Sequence, residues 1–115
     1  MIQTRTVATM TILDLHGPLG AGQEDAALRT AIRLAFDGGA RTVILNMADV
    51  PGIDSSGVAA LASGHMTATN RDGQLKLCNL TQKLKEVFLI MRLNTVFDSY
   101  ASEAEAIASV RVEKT

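Results

Sequence analysis

Apolar residues recur along this chain with two periods, and the periods alternate. Residues 10–16 put Thr11, Leu13 and Leu15 on one side and Met10, Ile12, Asp14 and His16 on the other, the two-residue repeat of a strand with one good apolar face. Residues 2–7 alternate more weakly with Thr, Gln and Arg, which suits an edge strand whose free side stays polar. A turn at Ala8 and Thr9 would join the two as a hairpin. Gly17, Pro18, Gly20 and Gly22 then form a loop. From 24 to 37 the spacing becomes helical, with Leu28, Ala31, Ile32, Ala35 and Phe36 on the inner side. Asp25 with Arg29, and Arg33 with Asp37, are expected on its outer face, and Glu24 and Asp25 suit the positive end of the helix dipole. Gly38 and Gly39 stop it.

The second half repeats the alternation. Residues 42–45 are the short, mostly β-branched and apolar run of a strand covered on both faces, ended by Asn46. Pro51 and Gly52 turn the chain, and Asp54, Ser55 and Ser56 are residue types that cap a helix. Val58, Leu61, Ala62, His65, Met66 and Thr69 give that helix its expected inner face, to about Asn70. Asp72-Gly73 turns into a strand over 75–80. Thr81 caps a third helix with Leu84, Val87, Phe88 and Met91 inside. Leu89, Ile90 and Leu93 widen its stripe, which reads as packing on a neighbouring element, with a partner surface as the alternative. A last strand at 96–100 precedes Ser102 and Glu105, a capping box for a final helix carrying Ile107 and Val110. The order β-β-α-β-α-β-α-β-α predicts one α/β domain over 1–115, with 111–115 as a flexible tail. Its sheet is mixed and mostly parallel, with right-handed crossovers and one antiparallel edge strand.

Composition narrows the function. A formal net charge of −1 and 3% aromatic residues argue against nucleic acid, which asks for a basic face and stacking rings. The single cysteine, Cys78, excludes an internal disulfide. With no charged-then-apolar leader and no apolar run near the roughly 20 residues of a bilayer span, a cytoplasmic protein without a membrane partner is the expectation.

The candidate chemistry gathers at Ser55, a hydroxyl on a helix start at the C-terminal edge of a strand, where open α/β sheets place their sites. The local sequence DSSG lacks the nucleophile elbow G-x-S-x-G, and His65 lies about three turns further along the same helix. His16 and His65 have no second ligand at helical spacing, Cys78 has no C-x-x-C partner, and no phosphate-binding loop ends in Lys. No catalytic or metal-binding residue and no cofactor is therefore expected. A small nucleotide-binding protein or hydrolase using Ser55, Asp54 and the glycine loop is the alternative from another class. On residue chemistry alone Asp54 or Ser55 is a helix cap. A second reading has Ser55 modified: a phosphate there would meet the helix N-terminus favourably, yet add about −1.5 to −2 charges beside Asp49 and Asp54, with Asn46 nearby.

The run Leu45-Asn46-Met47, then Asp49, then Ile53-Asp54-Ser55-Ser56-Gly57-Val58 resembles the D-S-[ST]-G-[hydrophobic] signature of the STAS domain, and more narrowly the stand-alone bacterial anti-sigma factor antagonists. The likeness extends to the Gly17-Pro18-Leu19 loop, the strand around Cys78 and the Thr81-capped helix with Leu84 and Phe88. It implies phosphorylation of Ser55, with Ser56 the secondary acceptor, by an anti-sigma factor serine kinase that brings its own ATP and magnesium. It also implies a serine phosphatase that resets the switch, and control of sigma-factor-dependent transcription in a stress response. Asp54 would present the serine and Gly57 allow close approach, while Asp49, Ser56, Ala59, Ala60 and Ser63 complete the partner-binding surface. Ala59, Ala60, Ser63 and Gly64 would keep one side of the helix flat. Two positions depart from the family pattern: Gly20 stands where an acid is common, and Arg92 where glycine is frequent. A scaffold subunit of a stressosome-like complex, or a weak homo-oligomer, would use the same domain.

Overall fold

A computed structural model of the chain describes residues 2–20 and 23–113, and the side chains of all of these except 23, 24 and 111–113. Expectations for Gly22, the Glu24 side chain and residues 114–115 lie outside the described residues. Five strands form one sheet in sequence order: β1 Ile2–Val7, β2 Met10–His16, β3 Thr42–Asp49, β4 Gln74–Cys78 and β5 Asp98–Tyr100. β1 pairs antiparallel with β2 and every later pair is parallel, so the predicted mixed sheet with one antiparallel edge is what the chain builds.

The helices are α1 Gln23–Asp37, α2 Ser55–Asn70, α3 Gln82–Ile90 and α4 Glu103–Glu113. Because crossovers between parallel strands take one hand and the strand order never reverses, α1, α2 and α3 fall on the same face. Leu28, Ile32 and Phe36 of α1, Ala60, Leu61 and Ala68 of α2, and Leu84 and Phe88 of α3 share one core with Leu13, Val43, Leu45, Met47 and Leu77. Ala106 and Val110 of α4 close the opposite face on Met10, Ile12, Ile44 and Cys78. β2 is therefore buried on both sides, not one, because α4 returns beneath it. Burial pushes the Cys78 thiol up to about 11.

Several expectations are corrected. β3 runs past Asn46 to Asp49. β4 ends at Cys78, and its Lys76 is buried at 1% exposure, where the ammonium donates to the Tyr100 hydroxyl at 3.2 Å. β5 is only three residues; the stretch before it holds a 3-10 turn, Leu93–Thr95, and Phe97 buried in the larger core. α4 continues to Glu113, three residues into the expected tail.

The inner face of α2 is Gly57, Ala60, Leu61, Gly64 and Ala68, while Ala62 and Met66 are exposed. Small residues face inward because α1 lies close: a side chain at Gly64 would meet Ile32 Cδ1 at 2.6 Å. On α3, Leu89 (66%) and Ile90 (80%) are exposed and join neither core cluster among the described residues, whereas Leu93 is partly buried against the core. Met91, expected inside, is half exposed.

Candidate functional site

The loops that follow β2 and β3 run side by side beyond the end of the sheet. The Gly17 N–H donates to Asp49 O, the Leu19 N–H to Gly52 O and the Asp54 N–H to Leu19 O, each at 3.0 Å, and Leu19 bridges Ile53 in parallel. Leu19 and Val50 bury their side chains beneath. This ladder delivers Asp54 in extended conformation, with φ −111° and ψ −175°, to the start of α2. There its Oδ1 accepts the Gly57 N–H at 3.0 Å, satisfying one of the free donors of the first turn. Of the two candidate caps, Asp54 and Ser55, it is Asp54 that caps the helix.

Each residue of DSSG has a different fate. Ser55, the first residue of α2, is exposed, and its hydroxyl has no partner among the described residues. Ser56 is half-buried and donates its hydroxyl to Asp25 Oδ2 in the first turn of α1. Gly57 presses on the neighbouring loop, where a side chain would meet Leu19 O at 2.5 Å and Ile53 Cγ1 at 2.7 Å. The close approach expected at Gly57 is thus made to this chain's own backbone.

Of the other predicted partner-binding residues, Asp49 is exposed at the end of β3 and its Oδ2 lies 2.8 Å from His16 Nδ1. Ala59 is exposed and Ser63 half-buried, one turn apart on the outward side of α2. Ala60 and Gly64 do not join them. Both are buried against the core because the helix is rotated so that its smallest residues face α1. Lys83 of α3 also reaches this edge: its Nζ is 3.9 Å from where a side chain at Gly52 would begin.

Asp25, expected on the outer face beside Arg29, is instead 4% exposed and belongs to the site. A usable signal was present, since Asp25 stands three and seven residues before the core positions Leu28 and Ile32 and so shares their face. The two departures from the family pattern also acquire reasons. A side chain at Gly20 would meet the Asp54 carboxylate, which lies directly over this bare stretch of backbone and would have to shift. Arg92 has φ 57°, the left-handed conformation that glycine adopts freely, just past the end of α3.

Across the sheet, on the α4 side, lies a second polar group. Asn79 Nδ2 donates to Asn46 Oδ1 at 3.1 Å, and Asn46 Nδ2 to Asp14 Oδ1 at 2.8 Å. Arg5 donates to Asp14 and to Glu103. The Arg5 guanidinium holds the Asp14 carboxyl below its usual value, and the two acids raise Arg5 further. Among the described residues no three His, Cys, Asp or Glu converge to hold a metal ion, and no helix is long and apolar enough to cross a membrane.

Comparison with known proteins places these features in a family. The anti-sigma factor antagonist SpoIIAA in its unphosphorylated form is 26% identical, with a TM-score of 0.74 over 96% of this chain and 98% of that one. The Bacillus cell fate determinant SpoIIAA in its phosphorylated form is 27% identical, with a TM-score of 0.72 over 96% and 99%. A putative anti-sigma factor antagonist from Thermotoga maritima shares the fold at a TM-score of 0.83 and 18% identity, over 96% of this chain and 94% of that one. A sequence search against curated proteins finds no match. The STAS domain family matches residues 1–106, spanning all five strands, the zipped loops and the capped start of α2, and the chain belongs to it.

Proposed function

We propose that this protein is an anti-sigma factor antagonist acting by partner switching. Unphosphorylated, it binds an anti-sigma factor serine kinase through the start and outward side of α2; phosphorylated on Ser55, it is released, and a serine phosphatase restores it. ATP and magnesium belong to the kinase, and this chain acts by binding rather than by catalysis. The observation that carries the reading is the isolation of one hydroxyl. Ser55 is exposed and without a partner among the described residues, while Asp54 and Ser56 on either side are pinned. The likeness to SpoIIAA, known in both phosphorylation states, supports it.

The switch needs little refolding. A phosphate at the first helical position meets free N–H groups favourably, so α2 keeps its cap and place. It adds about −1.5 to −2 charges beside the exposed Asp54. Against an acid about 4 Å away, one added unit charge costs up to a few kcal/mol at intermediate dielectric, and about 1.4 kcal/mol is tenfold in affinity. A surface complementary to the neutral form is thereby switched off.

The deciding experiment is phosphopeptide mapping of tryptic peptide 42–71 from resting and stressed cells. Phosphate on Ser55 whose occupancy changes with condition is the expected result, and absence in both states would sink the reading. In binding assays with the co-purifying kinase, Ser55→Ala stays binding-competent and Ser55→Asp binds at least about tenfold more weakly. A second reading, a scaffold subunit assembling through α3, draws on the exposure of Leu89 and Ile90. A stable oligomer in light scattering without any kinase would favour it.

A further inference from the structure

Two serines stand side by side at the start of α2, and the fold treats them oppositely. Asp25, the third residue of α1, is 4% exposed; its Oδ2 accepts the Ser56 hydroxyl, and its Oδ1 is buried without any hydrogen-bond partner. An acceptor left empty inside a protein is costly, and a retained one calls for a reason. No ion pair reaches this carboxylate among the described residues. The Asp25 carboxylate therefore lies buried with the Ser56 hydroxyl as its one donor and no cation beside it among the described residues.

We propose that Asp25 decides which serine is open to modification: it keeps Ser56 as an internal hydroxyl and bars phosphate from it, leaving Ser55 the sole acceptor. The proposal rests on the reading of Ser55 as a phosphoacceptor and assigns Asp25 a positioning role in it. Two effects act together. To turn outward, Ser56 must break a charge-assisted hydrogen bond and leave both Asp25 oxygens buried and unpaired. A phosphate on Ser56 would then place about −1.5 to −2 charges beside an uncompensated carboxylate. Ser55, which is exposed and whose hydroxyl bonds to nothing among the described residues, meets neither obstacle. Specificity between neighbours identical in chemistry is thus set from a different helix.

The test maps phosphate on peptide 42–71 from the native cells for wild type, Ser55→Ala, and Ser55→Ala combined with Asp25→Ala. Wild type should carry phosphate on Ser55 alone and Ser55→Ala essentially none on Ser56. The double variant should raise Ser56 phosphate at least about tenfold over Ser55→Ala, the worth of one charge-assisted hydrogen bond. Asp25→Asn in the same background keeps the shape, drops the charge and moves the result the same way by less, so the answer does not hang on how the alanine variant folds. Phosphate shared between Ser55 and Ser56 in wild type, or equal Ser56 phosphate with and without Asp25, overturns the proposal and leaves Ser55 as an acceptor. Absence from both serines in every chain overturns the reading of Ser55 and the proposal with it. Side-chain NMR of unmodified wild type gives a second readout: a single Ser56 rotamer is expected beside an averaged Ser55, and averaging at both removes the basis for selection.

Discussion

The starts of α2 and α4 use the same capping chemistry to opposite ends. At α4, the Ser102 Oγ accepts the Glu105 N–H at 3.1 Å and the Glu105 carboxylate accepts the Ala101 N–H at 3.1 Å. Glu103 lies 2.6 Å from Arg5, which also binds Asp14 at 2.5 Å, so the acids around this helix start share a cation. At α2, Asp54 caps just as well, but neither it nor Asp25 has an ion pair among the described residues, and the Ser55 hydroxyl has no partner. A closed end only stabilises. An end with its cap in place and a hydroxyl left over can be read by another protein.

The third helical position offers the sharpest way to break this contrast. In α4 it is Glu105, whose side chain reaches back past the cap to the Ala101 N–H; in α2 it is Gly57, pressed on the carbonyl of Leu19. Gly57→Ala should destabilise by about 2–3 kcal/mol, because the obstacle is backbone and cannot turn aside. Glu105→Ala should lose only about 1 kcal/mol or less. Urea unfolding measures both, and a Gly57→Ala midpoint equal to wild type would mean that the two loops are not zipped tightly.

Next in size is Ser56→Ala. It leaves both oxygens of Asp25 buried without a donor, at an expected cost of about 1–2 kcal/mol. Joining Asp25→Ala to it should recover much of that loss, since the unpaired group is then gone. Independent, additive losses in the double variant would show that the two side chains do not interact.

How much of this contrast could be read beforehand follows from which signals are local. Caps depend on residues three apart, so Asp54, Thr81 and the Ser102–Glu105 pair were legible, and the structure contains each. The alternation in residues 2–16 likewise fixed β1 and β2 to the residue. The rotation of α2 was not legible, because it was inferred from the bulkiest residues. The face against α1 needs the smallest ones, and only the nearness of Ile32 to Gly64 reveals that. Asp25 was misread for a related reason: its spacing to Arg29 fits a surface pair as well as its spacing to Leu28 fits the core. The sequence holds no local clue to the hydroxyl waiting across the helix pair.

The closed end makes its own prediction with pH. Asp14 is held below its ordinary value of 3.8, chiefly by its hydrogen bonds from Arg5. A carboxyl lowered in the folded state contributes stability that is present above the ordinary value and lost as pH falls through the lowered one. Wild type should therefore lose stability below about pH 4, and Arg5→Ala should flatten that part of the profile. At neutral pH it should cost about 1 kcal/mol, since Arg5 is half exposed to solvent. An unchanged acid limb in thermal melts would show that the ion pairs contribute nothing.

The smallest expected effect is the most telling. Ser55→Ala removes a hydroxyl that is exposed and bonded to nothing in the described chain, so the unfolding midpoint should stay within about 0.5 kcal/mol of wild type. A loss of about 1 kcal/mol or more would make Ser55 a structural cap, like Ser102, and erase the difference between the two helix starts. A stability unchanged together with altered kinase binding would instead separate the two roles that DSSG combines. Asp54, Ser56 and Gly57 hold the loop ladder and the first turn in place, and Ser55 is the residue the fold can spare.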